Sequence, residues 1–86
     1  MNKRDMICEM GHEESVVLDN PDFDEAIIGV TGDGNVVYNY DAMVKCLEER
    51  DNMSEQEAAE FIDYNTVRAI PYMPDPKPII MYHLWE

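Results

Sequence analysis

Few residues in this chain are of a type and spacing that could do chemistry. Cys8, Glu9, His12, Glu13 and Glu14 gather near the N-terminus. The C-x3-H spacing would set a thiol and an imidazole about one helical turn apart. A structural zinc site needs four ligands, and a catalytic one needs three plus water. No second pair of matching spacing follows, and His83 is remote. The run H-E-E is not the H-E-x-x-H of a zinc peptidase. The cluster therefore reads as an acidic, flexible arm over residues 1–13, with no metal.

The run D-N-P-D-F-D-E, residues 19–25, carries its carboxylates close together. A calcium loop needs D-x-D-x-D-G with a later glutamate, and no Gly follows here in register. It reads as a turn, with Asn20 bonding the backbone ahead and Pro21 presetting φ. T-G-D-G-N, residues 31–35, lacks the lysine of a phosphate loop and reads as a hairpin turn. Ser15 and Ser54 are the only serines, and Ser54 is placed to cap a helix. Neither histidine has an evident acid–base partner. No catalytic residue and no cofactor is expected. Cys8 and Cys46 lie far apart without a C-x-x-C and read as free thiols, a disulfide being unneeded in a reducing compartment.

The elements that would position any site follow from pattern. The chain has 86 residues, enough for one domain with a modest core. Apolar residues make up 45%, too many for a disordered acidic tail. No apolar run approaches a membrane span, and none follows Lys3-Arg4 as a signal peptide requires. A cytoplasmic protein is expected.

A single α+β domain is predicted over residues 14–86. E-S-V-V-L-D (14–19) reads as a strand. E-A-I-I-G-V-T (25–31) and N-V-V-Y-N-Y (35–40) read as a hairpin about G-D-G. Tyr40, Met43, Val44 and Leu47 form a helical stripe, capped by Asn39 or Asp41 and broken at Asp51-Asn52. Ser54 with Glu57 is a capping box, and Met53 can staple onto Ala58. A second helix runs from Glu55 to about Asn65 or Thr66, and I-I-M-Y-H-L-W (79–85) reads as a last strand. The order is β-β-β-α-α-β, a small mainly antiparallel sheet packed on two helices.

E-F-I-D-Y-N-T-V-R-A-I-P-Y-M, residues 60–73, sets polar residues among apolar ones. On a helical wheel Asn65 shares a face with Ala58, Ile62 and Ala69. A buried amide must be hydrogen-bonded or it costs about 1–3 kcal/mol. Asn65 thus reads as a polar staple for the turn into the last strand, with Pro71 as the stop. The alternative is a binding surface built by Tyr64, Arg68, Tyr72 and Met73, the residue types that interface cores concentrate.

Charge is the dominant compositional feature: 19 acids against 6 bases, net −13. Such a chain repels nucleic acid and anionic membrane and attracts basic protein surfaces. Residues 1–25 hold eight acids and two bases, and residues 41–63 hold the same numbers.

Several segments together resemble a family of small acidic proteins of phages, prophages and gut-type Firmicutes. Its pattern joins N-P-x-[FY]-D-x-A-I-I-G to a Y-D-x-M helix and an E-E-A-x-E-[FWY]-[IV]-[DE]-Y-N-T-x-R-A-x-P-Y segment. The matching residues here are Asn20, Pro21, Phe23, Asp24, Ala26 to Gly29, Tyr40, Asp41, Met43, Glu57, Ala58, Glu60 to Thr66, Arg68, Ala69, Pro71 and Tyr72. Gln56 stands where the pattern has an acid. The resemblance covers residues 18 to about 82. It implies a mobile-element setting, and with it a protein that disarms or redirects a host factor.

Two functional expectations follow. In the first, Glu57, Glu60 and Asp63 stand in for phosphates, with Tyr64, Arg68 and Tyr72 as interface positions. The partner is then a basic host protein that handles nucleic acid, such as a CRISPR or restriction enzyme. In the second, the apolar C-terminal strand pairs with another copy. Both are non-catalytic.

Overall fold

The computed structural model describes residues 2–19 and 22–84. It has a small three-stranded mixed sheet with helices, an α+β fold. Helix α1 spans Lys3–Glu9. Asn2 caps it, its side chain accepting from the Asp5 amide at 2.8 Å. Gly11, at φ +91, ends it in a left-handed turn that a side chain would disfavour. Residues 3–9 of the expected arm are thus helical. Ile7, only 5% exposed, joins the core. Lys3 Nζ donates to the carbonyls of Glu25 and Ile27, at 2.9 and 2.7 Å. Arg4 Nε and Nη2 pair with Asp24 and Asp19, at 2.8 and 2.9 Å. This charge-balanced stretch supplies one apolar anchor and two cations whose acceptors lie between Leu18 and Ile27.

Residues 14–18 form no strand. They are tied by side chains instead: Ser15 Oγ donates to the Gly34 carbonyl at 2.7 Å, and the Leu18 amide donates to Tyr38 Oη at 2.9 Å. Helix α1 lies beside residues 27–30, sharing a groove with them, and Lys3 takes the Ile27 carbonyl there. The expected turn at Asn20-Pro21 lies outside the described residues. A short 3-10 turn, Asp24–Ala26, leads into β1, Ile27–Val30.

Strands β1 and β2 (Val36–Asn39) form the expected antiparallel hairpin, with a bulge between Ile27 and Gly29. Thr31 and Asn35 close its turn through paired backbone and side-chain bonds, and Gly34 supplies φ +90. Asn39 caps α2, Tyr40–Asp51, by accepting from the Ala42 amide at 2.9 Å. Met43, Val44, Cys46 and Leu47 are its buried stripe. Asn52, left-handed at φ 54, ends it.

Both bonds of the Ser54–Glu57 capping box form and start α3, Glu55–Phe61. The chain then changes pitch twice without leaving helical dihedrals. A π-helical turn spans Ile62–Thr66, and a 3-10 stretch spans Val67–Tyr72 with Pro71 inside it. The wider turn alters which residue meets the core. Ala58, Ile62 and Thr66 are buried, whereas Asn65 is exposed. Asn65 is thus not a buried staple. Its Nδ2 donates to the Phe61 carbonyl at 3.1 Å, on the surface.

The last strand is shorter than expected: β3 is Ile79–Met81, and Trp85 lies outside the described residues. It pairs parallel with β2, Tyr38 opposite Ile80, giving the order β1-β2-β3. The sheet is mixed, and the helices between β2 and β3 supply the long crossover that a parallel pair requires. Tyr38, Phe23, Met43, Leu47, Ile62 and Val36 fill the core between the sheet and the helices.

Candidate functional site

An open groove of about 680 Å³ runs along α3 and the π turn. It is lined by the apolar side chains Met53 and Phe61, by the Tyr64 ring, and by the polar Glu57, Glu60, Asp63, Asn65 and Arg68. Local sequence explains the arrangement. The capping box starts α3 and turns Glu57 and Glu60 outward. The π turn then carries Asp63, Tyr64 and Asn65 together onto the exposed side. Tyr64 is 70% exposed, and Arg68 places its guanidinium carbon 4.8 Å from that ring's centre. This is within the range of a cation–π contact.

Asp63 is held in place. Its Oδ1 accepts from Tyr40 Oη at 3.0 Å, and the same hydroxyl reaches the Ala59 carbonyl at 3.4 Å. Burial, followed by the Asp63 carboxylate, pushes the Tyr40 phenol up to about 12. The Tyr40 ring rests on Tyr82, centroids 4.9 Å apart. Glu60 accepts from Gln56 Nε2 at 3.3 Å. Among the described residues, no ion pair engages Glu57, Glu60 or Asp63; Arg4, Arg50 and Lys77 are paired with aspartates elsewhere.

Five of the six singled-out residues, Glu57, Glu60, Asp63, Tyr64 and Arg68, line this one groove. Tyr72 is 90% exposed and is not part of the lining. Sequence reasoning missed Met53 and Phe61, reading Met53 as a staple and setting Phe61 beside the apolar face of the wheel. It assigned Asn65 to the core. The usable signal was the capping box, which makes Met53 and Phe61 near neighbours of Glu57.

Elsewhere, Cys8 is exposed and Cys46 buried, and burial raises the Cys46 thiol. Among the described residues, no group of three His, Cys, Asp or Glu side chains is placed to hold a metal. No helix among them is long and apolar enough to cross a membrane. Comparison of the chain with family profiles, curated proteins and solved structures finds no match.

Proposed function

We propose that this protein is a non-catalytic, cytoplasmic binding protein of a mobile-element setting. Its acidic helical face docks on a basic surface of a host protein that handles nucleic acid. A CRISPR or restriction enzyme is the kind of target meant. The carrying observation is the unneutralised carboxylate row Glu57, Glu60 and Asp63 beside the exposed Tyr64–Arg68 pair. The step from Glu57 to Glu60 along α3 rises about 4.5 Å, and Asp63 continues the row on the π turn, so three carboxylates face a Lys/Arg groove. Charge distribution supports this. Residues 1–63 hold 17 acids and 4 bases, while residues 64–86 hold 2 of each. Nothing in the reading requires bound nucleic acid, membrane or cofactor.

The test is capture of host proteins on the immobilised chain at low and high salt, after nuclease treatment. A nucleic-acid enzyme released by salt and displaced by added DNA or RNA is the expected result. Retention indifferent to both would overturn the reading.

A second reading has its own observation. Strand β3 leaves its outer edge unpaired within the sheet, and Ile79, Tyr82 and Leu84 are 40%, 54% and 87% exposed. This edge belongs to the charge-neutral part of the chain, where two copies meet with least repulsion. Pairing of β3 with a second copy would show as a dimer in light scattering at high concentration, and a strict monomer rules it out.

A further inference from the structure

We infer that the groove along α3 and the π turn is a seat for an arginine side chain of the partner, and that Arg68 fills part of that seat in the free protein. The inference deepens the binding reading above and rests on it for the partner's basic character. Three features of the groove select the occupant. The wall of Met53, Phe61 and Tyr64 suits a methylene stem rather than an ion with a full hydration shell. The lining also offers Glu60 and Asp63, neither of which is in an ion pair among the described residues. Asp63 spends Oδ1 on Tyr40 and keeps Oδ2 for another donor. A lining that combines apolar surface with carboxylates is complementary to a long chain with a cationic end.

Arg68 distinguishes arginine from lysine. Its guanidinium lies 4.8 Å from the Tyr64 centroid, so the ring face already accepts that planar group. A lysine ammonium is a compact, strongly hydrated charge with no plane to stack and no fork to match a carboxylate. The same stacking makes Arg68 a competitor: its like charge and its occupation of the ring face both oppose an incoming guanidinium. Binding at the seat therefore displaces Arg68 toward solvent.

The experiment is a titration of the isotope-labelled full chain at low salt with two short capped peptides. They are identical except that one carries two arginines and the other two lysines, and amide shifts are followed by NMR. Saturable shifts centred on Phe61, Tyr64 and Asn65 are expected, with the arginine peptide about two- to fivefold tighter. Tyr64→Ala removes that preference while leaving the residual charge attraction. Arg68→Ala tightens binding of the arginine peptide, and Glu60→Gln weakens both peptides. These side chains are exposed, so the unbound spectra of the variants report that the fold persists. Equal affinities, shifts spread over the acidic surface without a centre, or no gain in Arg68→Ala would each overturn the seat. Such a failure leaves the host-capture result untouched. Loss of salt-sensitive capture with the seat intact would instead separate the groove's chemistry from the proposed role.

Discussion

Helices α2 and α3 start in the same way and end differently. Each has a side-chain cap, Asn39 for α2 and Ser54 for α3; α2 buries the stripe Met43, Val44, Cys46 and Leu47, and α3 buries Ala58. Helix α2 keeps one pitch for 12 residues and stops at a left-handed Asn52. Helix α3 keeps it for 7, widens to a π turn and then tightens to a 3-10 stretch. The regular helix gives its stripe to the core, with Met43 and Leu47 fully buried. The irregular one divides its residues. Ala58, Ile62 and Thr66 go to the core, and Asp63, Tyr64 and Asn65 are brought side by side onto the surface. A constant pitch would instead align Asn65 with Ala58 on the core side. The departure from regular geometry coincides with the groove, as π turns often do with functional sites.

The largest test of this contrast is core truncation in each helix. Leu47→Ala should cost about 2–5 kcal/mol in chemical denaturation, from lost burial plus a cavity. Ile62→Ala should fall in the same range, because Ile62 is also fully buried although it opens the π turn. A cost near zero for Ile62→Ala would mean that the irregular segment packs only loosely. Next in size is the cap. Ser54→Ala should cost about 0.5–2 kcal/mol, since it exposes the α3 amide end and breaks the capping box.

Tyr40→Phe comes next, at about 0.5–1.5 kcal/mol for one hydrogen bond. It also carries a pH signature. The Tyr40 phenol is raised from 10.0 to about 12, so the folded state favours the protonated form. That stabilisation is fully present below the unfolded value, near 10, and is lost as pH rises through about 12. The wild type should lose stability over this window in urea melts, and Tyr40→Phe should lose less. Tyr38, raised in the same direction by burial, keeps the remaining loss in the variant. Identical alkaline profiles would show that the Tyr40–Asp63 bond does not fix the groove's rim.

Legibility in the sequence followed the same division. The hairpin was readable because Gly34 and the β-branched flanks state it locally. So was α2, because one stripe and one cap agree. The capping box announced α3. What was hidden depended on contacts distant in sequence. Strand-like E-S-V-V-L-D has the right residue types, but α1 lies beside the hairpin's outer strand and Tyr38 takes the Leu18 amide. The parallel pairing of β3 depends on the path of the crossover, which no local pattern encodes. Five groove residues were named in advance because acids, tyrosine and arginine recur there. Their convergence was not visible, since a wheel of constant pitch cannot anticipate a π turn.

Asn65 is the residue on which that error turns, and its effect should be the smallest. A regular helix makes it a buried amide, whose removal would strand partners at a cost of about 1–3 kcal/mol. In the π turn it is exposed, with one bond from Nδ2 to the Phe61 carbonyl at 3.1 Å. That carbonyl can be satisfied by water once the amide is gone. Asn65→Ala should therefore shift stability by no more than about 0.5 kcal/mol, as surface substitutions usually do. Thr66→Asp, one position on, should be far worse, because Thr66 is 7% exposed and a carboxylate there enters the core face without a partner. If Asn65→Ala is the more damaging of the two, the helix keeps its α pitch through residue 66. Asn65 would then turn toward the face of Ala58 and Ile62 and leave the lining of the groove.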